Sequence, residues 1–495
     1  MGESRQVLVV GGGNAALCAA ISAAENGARV TLLERAPFEL RGGNSRFTAG
    51  AMRVVYNGSK DLKSLMPDLT DAEIARTDFG SYSREQFFDD LGRLTQYRTD
   101  PDLAETLIDE SFATLQWMQE KGVRFLPLYG RQSFEIKGRV RFWGGLTVET
   151  WGGGPGLVDT LTDIANKHGV TVLYGARATG LISEHGRVRG VTVLREGESD
   201  VYHADAVILA CGGFESSTTW RTRYLGAGWD LAKVRGTRFN TGDGIDMALT
   251  AGAAPRGHWS GCHAVAWDLN APDFGDLNVG DNFQKHSYPL GVVVNNNGER
   301  FVDEGADFRN FTYAKYGQEI LRQPRQSAWQ VFDAKVTENL RDEYRIRQIT
   351  RVRAGSIAEL AAKMEGMNET AFVQTIEKFN AAVMTEVPFD PSIKDGRGTR
   401  GLILPKSNWA NPLDEPPFEA YGVTCGITFT FGGLHINRAA QVLGQDEKPI
   451  QGLFGAGELM GGLFYFNYPG GSGLTSGAVF GRIAGRNAAG GGIEG

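Results

Sequence analysis

The stretch from Val7 to Glu34, VLVVGGGNAALCAAISAAENGARVTLLE, limits what this chain can fold into more than any other. Val7 to Val10 has no polar face, so it reads as a buried parallel strand. Gly11, Gly13 and Ala16 then fit G-x-G-x-x-A: glycines where the chain turns tightly and lets a pyrophosphate approach the backbone, and a small residue where helix meets strand. The following helix points its N-terminus at the phosphates. Glu34 lies 23 residues after Gly11, about the spacing at which an acid accepts hydrogen bonds from a ribose hydroxyl pair. A βαβ unit that binds nothing needs one glycine at such a turn, not Gly11, Gly12 and Gly13 in succession. The segment reads as a dinucleotide site.

A chain of 495 residues suggests two or three domains, at about 100–200 residues each. The net charge is −7 and no lysine or arginine block marks a nucleic-acid or membrane surface. Cys18, Cys211, Cys262 and Cys425 lie too far apart for a local C-x-x-C cluster, so no metal site is expected. The 67 glycines exceed the usual ~7%, and the excess in Gly152 to Gly156 and Gly470 to Gly473 suits backbone wrapped around a large cofactor. FAD fits better than NAD, because the first unit begins within ten residues of Met1 and glycine-rich chain returns at the far end. No apolar run reaches ~18 residues and Met1 to Gln6 is short and polar, so a cytoplasmic protein is expected.

Further along, Leu103, Leu107, Ile108, Phe112, Leu115 and Met118 recur at helical spacing between Pro101 and Gly122. Arg131, Lys137, Arg139 and Arg141 form a basic run with two readings: a solvated hairpin, or a patch that recruits polycarboxylates through bidentate guanidinium pairing. The pattern predicts a helix over Leu157 to His168, then strands at Val170 to Tyr174, Val188 to Arg195 and Val207 to Ala210, and a helix over Ile245 to Ala251. From about His258 to Val423 the composition changes, with helices predicted at Ser356 to Met364 and Glu369 to Val383. The tail from Gly490 to Gly495 reads as disordered.

Arg41-Gly42-Gly43-Asn44-Ser45 resembles the G-G-N-[ST] stretch of the flavoprotein family that includes soluble fumarate reductase, 3-ketosteroid Δ1-dehydrogenase and tricarballylate dehydrogenase. Ala210-Cys211-Gly212-Gly213-Phe214 resembles its A-T-G-G-[FY] turn, and Gly242-Asp243-Gly244 its T-G-D-G, where Asp243 is as readily a helix cap as a cofactor contact. Gly452 to Glu458 and Gly470 to Thr475, ahead of a helix over Ser476 to Asn487, resemble its last two segments. The resemblance implies an α/β fold: a Rossmann-type, glutathione-reductase-like FAD-binding domain in two pieces, 1–257 and 428–495, with an α+β capping domain over 258–427. It implies FAD contacts from Gly11, Gly13, Asn14, Ala15, Ala16, Glu34, Arg35, Gly42, Gly43, Asn44, Ser45 and Ala178, and from Gly212, Gly213, Asp243, Gly457, Glu458, Ser472, Gly473 and Leu474. The second helix N-terminus would favour a reduced, anionic flavin.

Position by position, the resemblance assigns substrate chemistry to His263, in Trp259-x-x-x-His263, with a structural histidine as the alternative, and to Arg309, which follows G-x-R-F-x-[ND]-E one residue later than in fumarate reductases. A proton-relaying glutamate and arginine of those enzymes align with Gln284 and Ser287, a substrate histidine with Thr428 and an arginine with Tyr468, which counts against fumarate reduction. Asn467-Tyr468-Pro469-Gly470-Gly471 instead resembles the ketosteroid dehydrogenases, whose tyrosine polarises a ketone, and is also very like tricarballylate dehydrogenase. Phe464, Tyr465 and Phe466 are read with Tyr468 as residues over the flavin.

The expected activity is dehydrogenation of a CH–CH bond next to carboxylates, of the tricarballylate to cis-aconitate type, with a small carboxylate-bearing substrate and a separate electron acceptor. Alternatives are a cyclic-ketone or steroid desaturase, an enoate reductase, and a flavin-bearing subunit of a larger complex. The histidine to which respiratory members attach FAD has no counterpart near Arg46, since the first histidine is His168. Purified protein should therefore be yellow and release its FAD into the supernatant on acid precipitation; flavin retained in the pellet would contradict non-covalent binding.

Overall fold

The computed structural model describes residues 4–491. The expectations for Met1 to Gln6 and for the tail thus fall partly on residues 1–3 and 492–495, outside the described residues. In chain order the first sheet and its helices comprise β1 (Gln6–Val10), α1 (Asn14–Glu25), β2 (Arg29–Glu34), α2 (Pro101–Lys121), α3 (Gly153–Lys167), β3 (Thr171–Tyr174), β4 (Arg177–Glu184), β5 (Arg187–Arg195), β6 (Glu198–His203) and β7 (Ala206–Leu209). The second sheet, entered after α4 (Asp243–Thr250), contains β8 (Pro255–Asp268), β9 (Val292–Asn295), β10 (Ser327–Phe332) and β11 (Phe418–Leu434). The chain then returns to the first with β12 (Pro449–Gly455) and α5 (Ser472–Ala488).

The first sheet runs β4-β5-β12-β7-β1-β2-β3, with β1 parallel to both β7 and β2 and β12 parallel to β7. Its centre is apolar because Val7–Val10 and Ala206–Leu209 are buried on both faces, as parallel strands between helices must be. Gly11, at φ +116, ends β1 where a Cβ would stand 2.3 Å from the Ala210 carbonyl oxygen, so only glycine lets the turn pass the end of β7. The second sheet is mostly antiparallel, and β11 pairs along its length with β8 and along its first half with β10. Lys233–Val234 also joins β11, so the second sheet recruits chain from before residue 258.

Helix α2 matches its sequence reading: Asp100 caps it by accepting from the Asp102 and Leu103 amides, and Gly122, at φ +116, stops it. The helices at Ile357–Lys363 and Glu369–Ala382 are also where the periodicity puts them. Beside β5, two strands of the first sheet escaped the reading, as did those of the second sheet. β4 and β6 carry exposed polar residues on a hairpin edge, so their apolar alternation is weak. Helix α3 starts at Gly153 instead of Leu157, and this corrects the reading of Gly152 to Gly156 as cofactor loop. A Cβ at Gly154 would stand 2.2 Å from the Ser45 carbonyl oxygen, so these glycines let α3 pack onto residues 45–48.

Helices α1 and α5 cross backbone to backbone. A Cβ on Gly481 would lie 2.4 Å from the Ala15 carbonyl oxygen, and one on Gly485 would lie 2.2 Å from that of Ala19. Gly485→Val should thus force the helices apart, costing roughly 1–3 kcal/mol as an overpacked core contact does. Urea unfolding of the purified variant checks this, the expected outcome being a lower midpoint with an unchanged slope.

Candidate active site

A long cleft opens along the top of the first sheet and reaches under β11, enclosing about 1890 Å³ counted with the solvent in its mouth. Both α1 and α5 begin at its wall. Their N-caps are Gly13 and Gly471, neither helix has a side-chain cap, and neither carries an acid in its first turn. Two positive helix ends therefore face one cavity, the arrangement that holds phosphate and anionic ring edges.

Most of the expected cofactor contacts line this cleft: Gly11, Gly13, Asn14, Ala15, Glu34, Arg35, Gly43, Asn44, Ser45, Ala178, Gly212, Asp243, Gly457, Glu458, Gly473 and Leu474. Ala16, Gly42, Gly213 and Ser472 are not among the lining residues, for steric reasons. Ala16 is fully buried, a Cβ on Gly42 would meet Val158 at 2.7 Å, and one on Gly213 would meet Glu458 Oε1 at 2.2 Å. Ser472 is also fully buried, and its hydroxyl donates to the Pro469 carbonyl at 2.5 Å.

At one end Glu34 accepts from the Ala36 amide at 2.7 Å, and burial pushes its carboxyl up to about 7. Asp243 does not cap its helix, because Gly242 is the N-cap. Its carboxylate instead accepts from Arg177 Nε at 2.7 Å and from Arg35 Nη1 at 3.2 Å. Burial alone would raise that carboxyl, but Arg177, Thr241 and Arg35 outweigh it and hold the group below its ordinary range. In the middle, the Asn44 amide is saturated by protein: Nδ2 donates to Glu215 Oε1 and to the Thr428 carbonyl, both at 2.6 Å, and Oδ1 accepts from the Thr237 amide. Only the rest of Asn44 is left for a cofactor. Glu458 accepts from the Thr430 amide at 2.9 Å, and burial, with Glu458 as neighbour, raises the Glu215 carboxyl well above its ordinary range.

The far end is cationic. Asp281 Oδ1 accepts from Arg235 Nε at 2.7 Å and Nη2 at 2.5 Å, while Oδ2 accepts from Arg131 Nη1 and Gln284 Nε2, both at 2.7 Å. Arg235 Nη1 also donates to Thr428 Oγ1 at 3.2 Å. Arg309 donates from Nη1 to His286 Nδ1 at 3.1 Å and from Nη2 to the Arg131 carbonyl, and burial lowers its guanidinium below its ordinary value. Among the described residues, three guanidiniums and one carboxylate thus face this end of the cleft.

His263 lies between Tyr313, Phe429 and Tyr468 with ring centroids 4.9–5.1 Å away, and neither ring nitrogen has a partner. Burial, then Arg235, keeps it neutral. The Tyr468 and Tyr313 hydroxyls share a short hydrogen bond beside it. Tyr465 and Phe466 turn away from the cleft: Phe466 packs on His258 at 4.6 Å.

The structure thus brings together Arg309, Tyr468, His263 and Thr428. It also splits the basic run, since Arg131 lines the cleft while Lys137, Arg139 and Arg141 are exposed on a hairpin. Arg235, Asp281, His286 and Tyr313 were not foreseen. Arg235 belongs to no motif, while Tyr313, four residues after Arg309, was within reach of the G-x-R-F-x-[ND]-E comparison.

A dinucleotide cleft with two glycine-capped helix ends and a cationic inner wall defines a flavoprotein oxidoreductase. The chain belongs to the family described as FAD binding domain, which matches residues 6–474. It is 30% identical over 494 residues to the fumarate reductase (cytochrome) of Shewanella frigidimarina, spanning 98% of this chain and 77% of that one. A flavocytochrome c3 fumarate reductase solved in an open conformation superposes with a TM-score of 0.73 at 28% identity, covering 99% of this chain and 79% of that one. The 3-ketosteroid Δ1-dehydrogenase of Sterolibacterium denitrificans shares the fold, with a TM-score of 0.75 at 21% identity and coverage of 99% and 100%. The protein is an FAD-dependent oxidoreductase acting on C–C bonds. Among the described residues, no helix is long and apolar enough to cross a membrane.

Ribose hydroxyls donate best to an ionised carboxylate, so a Glu34 carboxyl near 7 would give up its proton if it held the adenosine end of FAD as expected. Because the free-state pKa is raised, affinity should climb as pH rises from about 6 to about 8 and then level off. Titrating deflavinated protein with FAD across that range should show this, and Glu34→Gln should flatten it.

Proposed function

We propose that this oxidoreductase dehydrogenates a CH–CH bond adjacent to carboxylate in a small anionic substrate, tricarballylate being one candidate of the type. The observation that carries the reading is the inner end of the cleft, where Arg131, Arg235 and Arg309 line the wall with a single carboxylate, Asp281, while Glu343 and Glu149 act on these arginines from outside the lining. Such an excess of buried cation favours a ligand that brings its own negative charge. Asp281 holds two of the three guanidiniums in place and does not bond Arg309, which supports Arg309 as the group that anchors the substrate or passes its proton. FAD bound non-covalently would take up the hydride equivalent. The cleft contacts described above would hold it, and residues 258–427 would act as a cap that excludes water. Electrons would leave to a separate acceptor.

A second reading, desaturation of a cyclic ketone, is favoured by the Tyr468 and Tyr313 hydroxyls. Two hydrogen-bonded phenols offer an O–H to a carbonyl oxygen, and Phe429 and Phe464 beside them suit an apolar ring. Anaerobic mixing of the oxidised protein with tricarboxylates, dicarboxylates and cyclic ketones, with and without a carboxylate, separates the readings by which compound bleaches the flavin. Bleaching by neutral ketones alone would sink the carboxylate proposal, and bleaching by none would favour a flavin-bearing subunit. With the active substrate, Arg309→Ala should slow flavin reduction by roughly 100-fold or more. Tyr468→Phe should lower kcat/KM by roughly 2- to 150-fold, as loss of one hydrogen bond does.

A further inference from the structure

Behind the wall formed by His286 and Arg309 lies a second chamber, closed on its other sides by Phe134, Trp143, Phe308 and Arg341 among others. It encloses about 370 Å³ counted with the solvent at its mouth. About 30 Å³ is open to the centre of a water molecule, room for roughly two waters at ~10–15 Å³ each, or for one small ion.

Four of the lining side chains each hold a buried nitrogen without a hydrogen-bond partner: Trp143 Nε1, His286 Nε2, Arg309 Nε and Arg341 Nη2. All four are donors. Indole and guanidinium nitrogens cannot accept. His286 Nδ1 faces Arg309 Nη1 at 3.1 Å, and since the arginine can only donate, Nδ1 accepts and the hydrogen of the neutral ring is on Nε2. The acceptors at the rim each hold a bond already. The Pro289 carbonyl accepts from Lys406 Nζ at 2.7 Å, the Ser287 carbonyl from the Leu290 amide at 2.9 Å, and Ser287 Oγ from the Arg341 amide at 3.1 Å. Burial, then Arg309, holds the Arg341 guanidinium down to about 9, although Glu343 and Asp342 pull the other way.

We propose that this chamber binds a halide-sized inorganic monoanion, held by Trp143, His286, Arg309 and Arg341. Water suits it less well, because each water must also place two hydrogens on acceptors. The site is distinct from the cleft but shares its Arg309 and His286 wall, so a bound anion would weaken the positive field that the cleft offers. The inference holds whatever substrate the cleft takes.

Thermal unfolding of the FAD-loaded protein tests it, with chloride or bromide exchanged for gluconate at fixed ionic strength. Tm should rise progressively with halide between roughly 1 and 100 mM, as ligand linkage requires, and Arg341→Gln and Trp143→Phe should each reduce that rise. Trp143→Phe keeps the ring stacked between Phe134 and Phe308, so it reports even if the arginine variant folds poorly. Crystals soaked in bromide should show anomalous density in the chamber. An equal response to gluconate, a halide response unchanged in the variants, or bromide density absent from the chamber would each overturn the proposal.

Discussion

Everything in the cleft depends on the close contact of α1 with α5. The two helices come from opposite ends of the chain, and each presents small residues to the other: Ala15 and Ala19 on one side, Gly477, Gly481 and Gly485 on the other. Spacing of four residues keeps these glycines on one face, so the backbones approach without intervening side chains. That approach puts both N-termini at the same cavity wall. Were the helices a side-chain layer further apart, one dipole would face the cofactor and the other would face protein.

Asp281 plays the corresponding part at the other end. Buried guanidiniums repel one another and are costly to hold close in a low dielectric. A single carboxylate that engages Arg235 with one oxygen and Arg131 with the other organises both and leaves a net positive field. The Glu34 end repeats the arrangement, with Asp243 held by Arg35 and Arg177. At each end of the cleft one aspartate thus holds two arginines in place.

What was legible in the sequence is what is local. The βαβ unit, the glycine turns at Gly11 and Gly212, and the bracketed helix Pro101–Lys121 are each written within a few dozen residues, where apolar period and turn chemistry act directly. The cationic end is written nowhere in particular. Its arginines are 46 and 150 residues from Asp281, and nothing about Arg235 in isolation distinguishes it from a surface arginine. Arg131 was visible only as one of four basic residues, and which of them faced inward depended on a hairpin placing the other three in solvent. The glycines at 152–156 show the converse case, in which a composition that suits a cofactor loop serves instead to let helix α3 approach residues 45–48.

Strand β11 begins in the second sheet, where Glu419–Thr424 is bonded to β10, and ends in the cleft, where Thr428–Phe431 forms part of the wall. A hydrogen-bonded strand resists stretching, so it transmits displacement along its axis as a stiff rod does. Thr428 is the point of attachment, because its hydroxyl meets Arg235 and its carbonyl meets Asn44. The same residue therefore connects a shift of the outer sheet to the Arg235 cation at one part of the cleft and to the Asn44 segment at another, so that the two move together.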